Sequence, residues 1–486
     1  MSTPARSPFA PADNDGTAPR RSLVLAGGGM RVAYQAGVLT ALEEAGLRFH
    51  HVDGASGGTM NLSMLLGGQP SAEMCERWRS LDPRQFSTLS PWADYVRTPH
   101  WPGLGTGRGL RDKVFPHLGI DPDLVRSAVN LSGTYNVCNF ATKTAQVIDH
   151  TDVDLDLLVA AVSLPVLMPA VVSAGTAYTD AVWIRDSNVP EAVRRGSDEI
   201  WLVWCIANTP KYHNGSFRQY VHMIEMAANG SLGRDLEYAS TRWPERRPRL
   251  HVIKPVHPIP LDPAYYMGRV DASTLIDLGY QDACRYLCDP KPVSAPWVGA
   301  PTEMTEAGPG ACARLLLDGP FAMGQIAPAE GAEAGRQAGT QLALHLQVQS
   351  RYLAREGLGP LSVAGDVSLP GHRPHALIED GTAELTRAGL KLHLRWRGPA
   401  GMASLSVEPM HGSDVLAATA HDEDRGRGVL GAGTVSLGWR QAAQALVSLH
   451  ATDSTSSLDA MRARAKLAFA VVGASGAGPT RSEVQR

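Results

Sequence analysis

Arg21 to Ala26 (RSLVLA) is a short apolar, β-branched run that stops at three glycines, Gly27 to Gly29. Such a run predicts a buried strand feeding a tight turn. From Met30 the apolar period changes. Ala33, Gly37, Val38, Ala41 and Leu42 recur at spacings of three and four, which predicts a helix, and Gly46 ends it. A second strand is expected around Phe49 to Asp53, then the turn GASGG, then a helix over Thr59 to Leu66. Strand, turn and helix in succession, twice over, predict α/β architecture.

Further along, Tyr135 to Val147 alternates and reads as a strand, and Val171 to Tyr178 with Trp183 reads as a hairpin turning at Gly175. Ile200 to Ile206 (IWLVWCI) is continuous enough for an inner parallel strand. Helical spacing covers Ser216 to Tyr238 and Ala272 to Leu287, with a short strand at Leu250 to Ile253 between them. The first domain is therefore expected over 20–288, after a disordered tail at 1–19. A Pro-, Gly- and Ala-rich linker spans 289–310. From there the texture becomes short alternating segments between Gly, Pro and Asp clusters: Gln341 to Gln347, Leu361 to Val367, Ala383 to Thr386, Leu390 to Trp396 and Ala403 to Val407. Those predict a smaller β-rich domain over 311–472, sandwich or barrel, followed by a flexible tail at 473–486.

Leu157 to Ala174 is almost wholly apolar, but Pro165 and Pro169 interrupt it. In lipid the freed carbonyls would lack partners, so a short helix running into a buried loop is expected, in a cytoplasmic protein that contacts membranes at most peripherally. Over all 486 residues, 44% are hydrophobic and 19% charged, as a globular chain requires. The 49 glycines and 34 prolines lie below the density that marks low-complexity disorder. A net charge of −3 excludes a dedicated nucleic-acid binder. Six cysteines in a chain of 486 residues do not make a disulfide scaffold, and none forms a C-x-x-C pair. Cys284 and Cys288 share one helix face with no histidine near, and read as two small buried hydrophobes. No metal site is expected at this pair.

Two glycine-rich turns carry the chemistry. Gly54-Ala55-Ser56-Gly57-Gly58 matches G-x-S-x-G, in which a serine sits on a cramped strand-to-helix turn with its hydroxyl exposed. Gly27-Gly28-Gly29-Met30-Arg31 precedes a helix and exposes backbone N–H groups, as an oxyanion hole needs. A dinucleotide loop fails because Val32 takes the third glycine position, and no G-K-[ST] follows for a P-loop. Arg31 either meets a substrate anion or holds the loop in shape. A serine nucleophile needs a base. His213, His222, His251 and His257 qualify by chain order, and Asp180, at a strand end in AYTDAVWIRDSNVP, qualifies as a carboxylate that accepts the proton directly.

GGGMRVAYQAGVL, then GASGG, then an Asp-Ala pair followed by N-x-P together resemble the patatin-like phospholipase family over about residues 20–288. AVSLPVLMPAVV is similar to the Ala-Ser-x-x-x-Pro-x-x-x-Pro stretch of that family. The resemblance implies a three-layer α/β/α domain with a mostly parallel sheet. It implies a serine acyl hydrolase that cleaves lipid carboxylic esters through an acyl-enzyme intermediate, with no metal and no cofactor. Ser56 corresponds to the nucleophile, Asp180 to the dyad aspartate, Gly27 to Arg31 to the oxyanion loop, and Gly54 and Gly58 to the nucleophile elbow. Val32, Ala181 and Val182 depart from the family's glycines, and Asp186 is a second candidate for its aspartate. Acyl transfer on the same nucleophile and a non-catalytic lipid-binding scaffold are the alternatives. Around GAEAGRQAGTQLALHLQV the C-terminal texture resembles a module found beside cholesterol-oxidase-like flavoproteins. Trp92 and Trp101 are candidates for membrane contact.

Overall fold

The computed structural model describes residues 6–11, 18–86, 88–89, 103, 105–206, 212, 214–256, 259, 270–297, 310–350, 353–354, 357–358, 361–386, 389–399, 401–410, 415–424, 426, 428–452 and 457–474. His213, His257, Trp92, Trp101 and most of both terminal tails lie outside them. The chain forms two compact units, the first within residues 1–305 and the second chiefly residues 306–486.

The first unit is built on one mixed sheet. Its strands are β1 (Arg21–Leu25), β2 (His51–Ala55), β3 (Ser132–Asn139), β4 (Thr144–Asp149), β5 (Val171–Ser173), β6 (Thr176–Asp180), β7 (Glu199–Val203), β8 (Arg249–Ile253) and β9 (Val293–Ser294). The order is β9-β8-β7-β1-β2-β3-β6-β5, with β4 on the other edge of β3. The five strands β8, β7, β1, β2 and β3 run parallel. β9, β4, β6 and β5 join antiparallel. Helices α1 (Ala33–Glu44), α2 (Gly58–Leu66), α3 (Ser71–Ser80), α4 (Leu155–Ala161), α5 (Val189–Arg194), α6 (Ser216–Arg242) and α7 (Ala272–Cys288) accompany the sheet. β1 and β7 read as apolar runs because they are inner strands, and β2 is buried along its whole length although it carries His51 and Asp53. α1 crosses α7 in close contact: a Cβ on Gly37 would lie 1.9 Å from the Ile276 carbonyl, and one on Gly279 2.0 Å from that of Tyr34.

Three local expectations change. Tyr135 to Val147 is two antiparallel strands, β3 and β4. The alternation continues through a turn without Gly or Pro, made instead by the Asn139 side chain accepting from the N–H groups of Ala141 and Thr142. The segment after α4 is not buried: Val166 is 64% exposed, because the two prolines carry the chain to the surface. Cys284 is half-buried and Cys288 exposed, since α7 turns its Leu275, Ile276, Tyr280 and Ala283 stripe inward.

The second unit is an antiparallel barrel. It comprises β10 (Gly310–Met323), β11 (Gln341–Ser350), β12 (Leu361–Ser368), β13 (Ala376–Thr386), β14 (Gly389–Gly398), β15 (Gly401–Pro409), β16 (Leu416–Asp422) and β17 (Gly428–Val435). Each pairs with the next, and β10 pairs with both β11 and β17, closing the sheet. The strand β18 (His450–Thr452) pairs with β10 outside the ring. Helices α8 (Pro328–Ala338), α9 (Trp439–Ser448) and α10 (Ser457–Ala474) complete it. Alternate side chains such as Leu342, Leu344, Leu346 and Val348 fill the interior, with Trp396, Leu394 and Leu405 across from them.

Candidate active site

β2 delivers its last residue, Ala55, directly into the turn that carries Ser56. Ser56 has φ 47, a left-handed conformation that side chains other than glycine rarely adopt. Its carbonyl accepts from the Thr59 N–H at 3.0 Å, and α2 starts at Gly58. The turn packs so tightly that a Cβ on Gly58 would lie 2.2 Å from the Leu25 carbonyl, and one on Gly57 2.8 Å from that of Gly29. Glycine at those positions is therefore a packing requirement. Ser56 itself is buried.

The register of β3 brings an acid to this serine. The first half of β3 pairs with β2, ending at Ala55 opposite Asn136. β3 then runs on past the end of β2, and the same edge pairs with β6, placing Val137 opposite Asp180. Ser56 and Asp180 thus flank neighbouring positions of one strand edge, although 124 residues apart in sequence. Asp180 is fully buried, and its Oδ1 accepts from the Val182 N–H at 2.9 Å. Burial pushes its carboxyl up to about 7; the neighbouring Ser56 hydroxyl and the Val182 N–H pull the other way. Oδ2 has no hydrogen-bond partner of normal geometry, so the Ser56 hydroxyl is close without being locked to it. Ala181, where a glycine was anticipated, is not among the left-handed residues, and Val32 lies in the ordinary helical region at φ −67. Neither substitution strains the backbone.

A second acid lies in the same place. The chain turns through Ala181, whose carbonyl accepts from the N–H groups of Ile184 and Arg185, and returns Asp186 to the glycine loop. A Cβ on Gly27 would be 2.1 Å from Asp186 Oδ1 and 2.9 Å from Ser56 Cβ, so carboxyl and serine lie within about 5 Å of each other. Burial, and then the nearby Asp180, hold the Asp186 carboxyl well above the usual carboxylate range. The Arg31 charge and the Gly27 N–H pull the other way, although neither carboxyl oxygen has a hydrogen bond of normal geometry.

The glycine loop is braced at both ends. Gln35 donates to the Ala26 carbonyl at 2.6 Å, Asn61 to the Val32 carbonyl at 2.9 Å and to Gln35 Oε1 at 2.8 Å, and Trp78 to Asn61 Oδ1 at 2.8 Å. Within the loop, the Gly27 N–H donates to the Asp186 main-chain carbonyl at 3.2 Å, and the Arg31 N–H to that of Gly28 at 3.1 Å. The Arg31 side chain donates to the same Gly28 carbonyl at 3.1 Å and pairs with Glu225 at 3.3 Å. Of its two candidate roles, the arrangement has Arg31 hold the loop. Gly29, at φ 58, makes the turn into the helix.

Two of the four candidate histidines, His222 and His251, are described. His222 pairs with Glu225 at 3.3 Å. His251 stacks on Trp201 at 4.0 Å and bonds Tyr286, and burial lowers its imidazole to about 4. The sequence pattern gave no sign of a polar chain behind the elbow. Buried Asp53 accepts from Thr134 at 2.6 Å and Asn136 at 2.8 Å; Asn136 also donates to the Gly54 carbonyl and accepts from Asn188, which caps α5. The available signal was polar residues, Asp53, Thr134 and Asn136, standing within buried strands.

A family model described as patatin-like phospholipase matches residues 23–193, the span that holds Gly27, Ser56, Asp180 and Asp186. No curated protein matches the chain. Among solved structures, VipD from Legionella pneumophila is 14% identical, with 56% of this chain and 67% of that chain covered, at a TM-score of 0.35. The type III effector ExoU is also 14% identical, with 57% of this chain and 55% of that chain covered, at a TM-score of 0.25. The chain thus spans little more than half of ExoU.

Proposed function

Residues 23–193 are a patatin-like phospholipase domain, and from that premise we propose that the protein is a serine acyl hydrolase of lipid carboxylic esters, with Ser56 as nucleophile and Asp180 as its base. The supporting observation is the strand register: Ala55 and Asp180 face consecutive residues of β3, with Ser56 held left-handed between them. A carboxyl at about 7 takes a proton well at neutral pH.

In this mechanism Ser56 Oγ attacks the ester carbonyl carbon while Asp180 takes the hydroxyl proton. The carbonyl oxygen becomes an oxyanion facing the glycine loop. With the Gly27 and Arg31 amides already engaged, the Gly28, Gly29 and Met30 amides are the donors assigned to it. Loss of one such donor typically costs about 10²–10³ in rate. Collapse expels the alcohol, which receives the proton from Asp180. Water, deprotonated by Asp180, then cleaves the acyl-Ser56 ester. Asp180 is preferred over Asp186 as base because the Ser56 hydroxyl is a hydrogen-bond partner of the Asp180 carboxylate, whereas the groups favouring the charged form of Asp186 are Arg31 and the Gly27 N–H.

The test is labelling by a fluorophosphonate probe, with hydrolysis of p-nitrophenyl esters and phospholipid vesicles alongside. Labelling of the wild type that disappears in Ser56→Ala supports the assignment. Labelling abolished by His222→Ala or His251→Ala would overturn the dyad, and an unlabelled wild type would point to the scaffold.

A further inference from the structure

Three side chains from neighbouring strands converge on the outer wall of the barrel. His345 of β11 and Asp366 of β12 are direct cross-strand partners, and His375 stands at the foot of β13. Leu344 and Leu346 point into the barrel core, so His345 between them points out. Asp366 Oδ1 lies 3.2 Å from His345 Nδ1 and 2.9 Å from His375 Nδ1, and one donor atom from each residue lies within 4.8 Å of the other two. The carboxylate is fully buried at the floor, while the two imidazoles are 39% and 29% exposed at the rim.

The backbone is bent to make this cluster. The register between β12 and β13 shifts between Ser362 and Asp366, a bulge of the kind that re-aims side chains at functional positions. His375 is left-handed at φ 55, held there by its N–H donating to Ser368 Oγ at 3.0 Å. A left-handed residue other than glycine is a strained one, and strain of this kind gathers at ligand clamps.

We propose that His345, Asp366 and His375 form a binding site for a divalent transition-metal ion of the zinc class. Two ligands each about 2.1 Å from one ion stand about 3.0 Å apart at a right angle and about 3.4 Å apart at the tetrahedral angle. The two Nδ1-to-Oδ1 spacings match that range. A donor set of two nitrogens and one carboxylate oxygen suits zinc, cobalt, nickel or copper, and not magnesium or calcium, which take oxygen. Both imidazoles shed their Nδ1 protons on binding. The exposed side leaves positions for water or a small donor. The site belongs to the barrel alone and is independent of the Ser56 assignment.

The experiment uses the full chain, stripped of metal with a chelator and titrated with Co²⁺ alone, then with Zn²⁺ as competitor. The expected result is one Co²⁺ per chain with a visible ligand-field band, displaced by Zn²⁺. Losing an outer partner of a metal ligand costs about 10–100-fold in affinity, so losing a ligand in His375→Gly is expected to cost at least about 100-fold. That variant suits the left-handed backbone and so keeps the fold. His345→Ala is expected to act alike. A wild type that binds no Co²⁺, or one whose affinity both variants match, overturns the proposal and leaves a hydrogen-bonded triad.

Discussion

Asp180→Asn removes the proposed base with almost no change in shape, and its effects on activity and stability have opposite signs. The carboxyl is fully buried and stands at about 7 instead of 3.8. Its folded pKa lies above its unfolded one, so the folded state binds the extra proton between those values. Stability therefore falls as pH rises through that window. Between pH 5 and pH 8.5 the unfolded carboxyl is already ionised, while the folded one ionises near 7. About two pH units at about 1.36 kcal/mol each amount to about 3 kcal/mol of stability lost by the wild type and spared in the variant. Urea denaturation at both pH values measures this: the variant's stability relative to wild type is expected to rise by about 3 kcal/mol from pH 5 to pH 8.5. At the same time, hydrolysis of p-nitrophenyl butyrate is expected to fall by about 10²–10⁴, the usual worth of a general base. Wild-type kcat/KM is expected to rise with pH to a plateau above about 7. A variant that stays within threefold of wild-type activity, or a relative stability that does not change with pH, would refute the reasoning.

Ser56→Gly should abolish turnover yet stabilise the fold by about 1 kcal/mol relative to Ser56→Ala, because only glycine adopts φ 47 without strain; equal melting midpoints would falsify the strained elbow. Gly27→Ala puts a Cβ 2.1 Å from Asp186 Oδ1, so a loss of activity of at least about 10² is expected, together with a lower melting midpoint; unchanged kinetics would mean the loop is not where the chemistry happens. Asp186→Asn keeps the shape of the side chain and leaves the proposed base in place, so probe labelling is expected within about tenfold of wild type and the activity pH profile unshifted by more than a unit. A collapse of labelling equal to that in Asp180→Asn would exchange the two roles.

What the sequence made legible was whatever depends on neighbours in the chain. The RSLVLA strand, the helix from Ala33 and the Ser56 turn follow from local apolar period and glycine placement, and the structure has each. Across the barrel, the alternating segments are strands because every second residue is buried. β10 escaped because it begins where the chain looks like a linker, and its Gly319 and Pro320 interrupt the pattern. The β3–β4 turn escaped because a side chain, Asn139, does the work that Gly or Pro usually announces. The Gln35–Asn61–Trp78 brace and the Asp53–Asn136–Asn188 chain join segments far apart in sequence, and no local pattern foretells such pairings.

The same distinction explains why two aspartates remained candidates until the coordinates were in hand. The six-residue interval between Asp180 and Asp186 cannot say which one faces the serine. The fold answers by bringing both. β6 lays Asp180 against the extension of β3, and the turn at Ala181 folds Asp186 back over Gly27. Two carboxyls in one dry pocket resist ionising together, and the Asp180 charge raises Asp186. Asp180, with the Val182 N–H and the Ser56 hydroxyl favouring its charged form, stands at about 7, while Asp186 is held well above the usual carboxylate range. The division of labour follows from hydrogen-bond supply and not from position in the chain. Exchanging that supply, by deleting the Val182 amide in Val182→Pro, is therefore expected to raise the pH at which activity reaches its plateau; an unmoved plateau would mean that the base is some group other than Asp180.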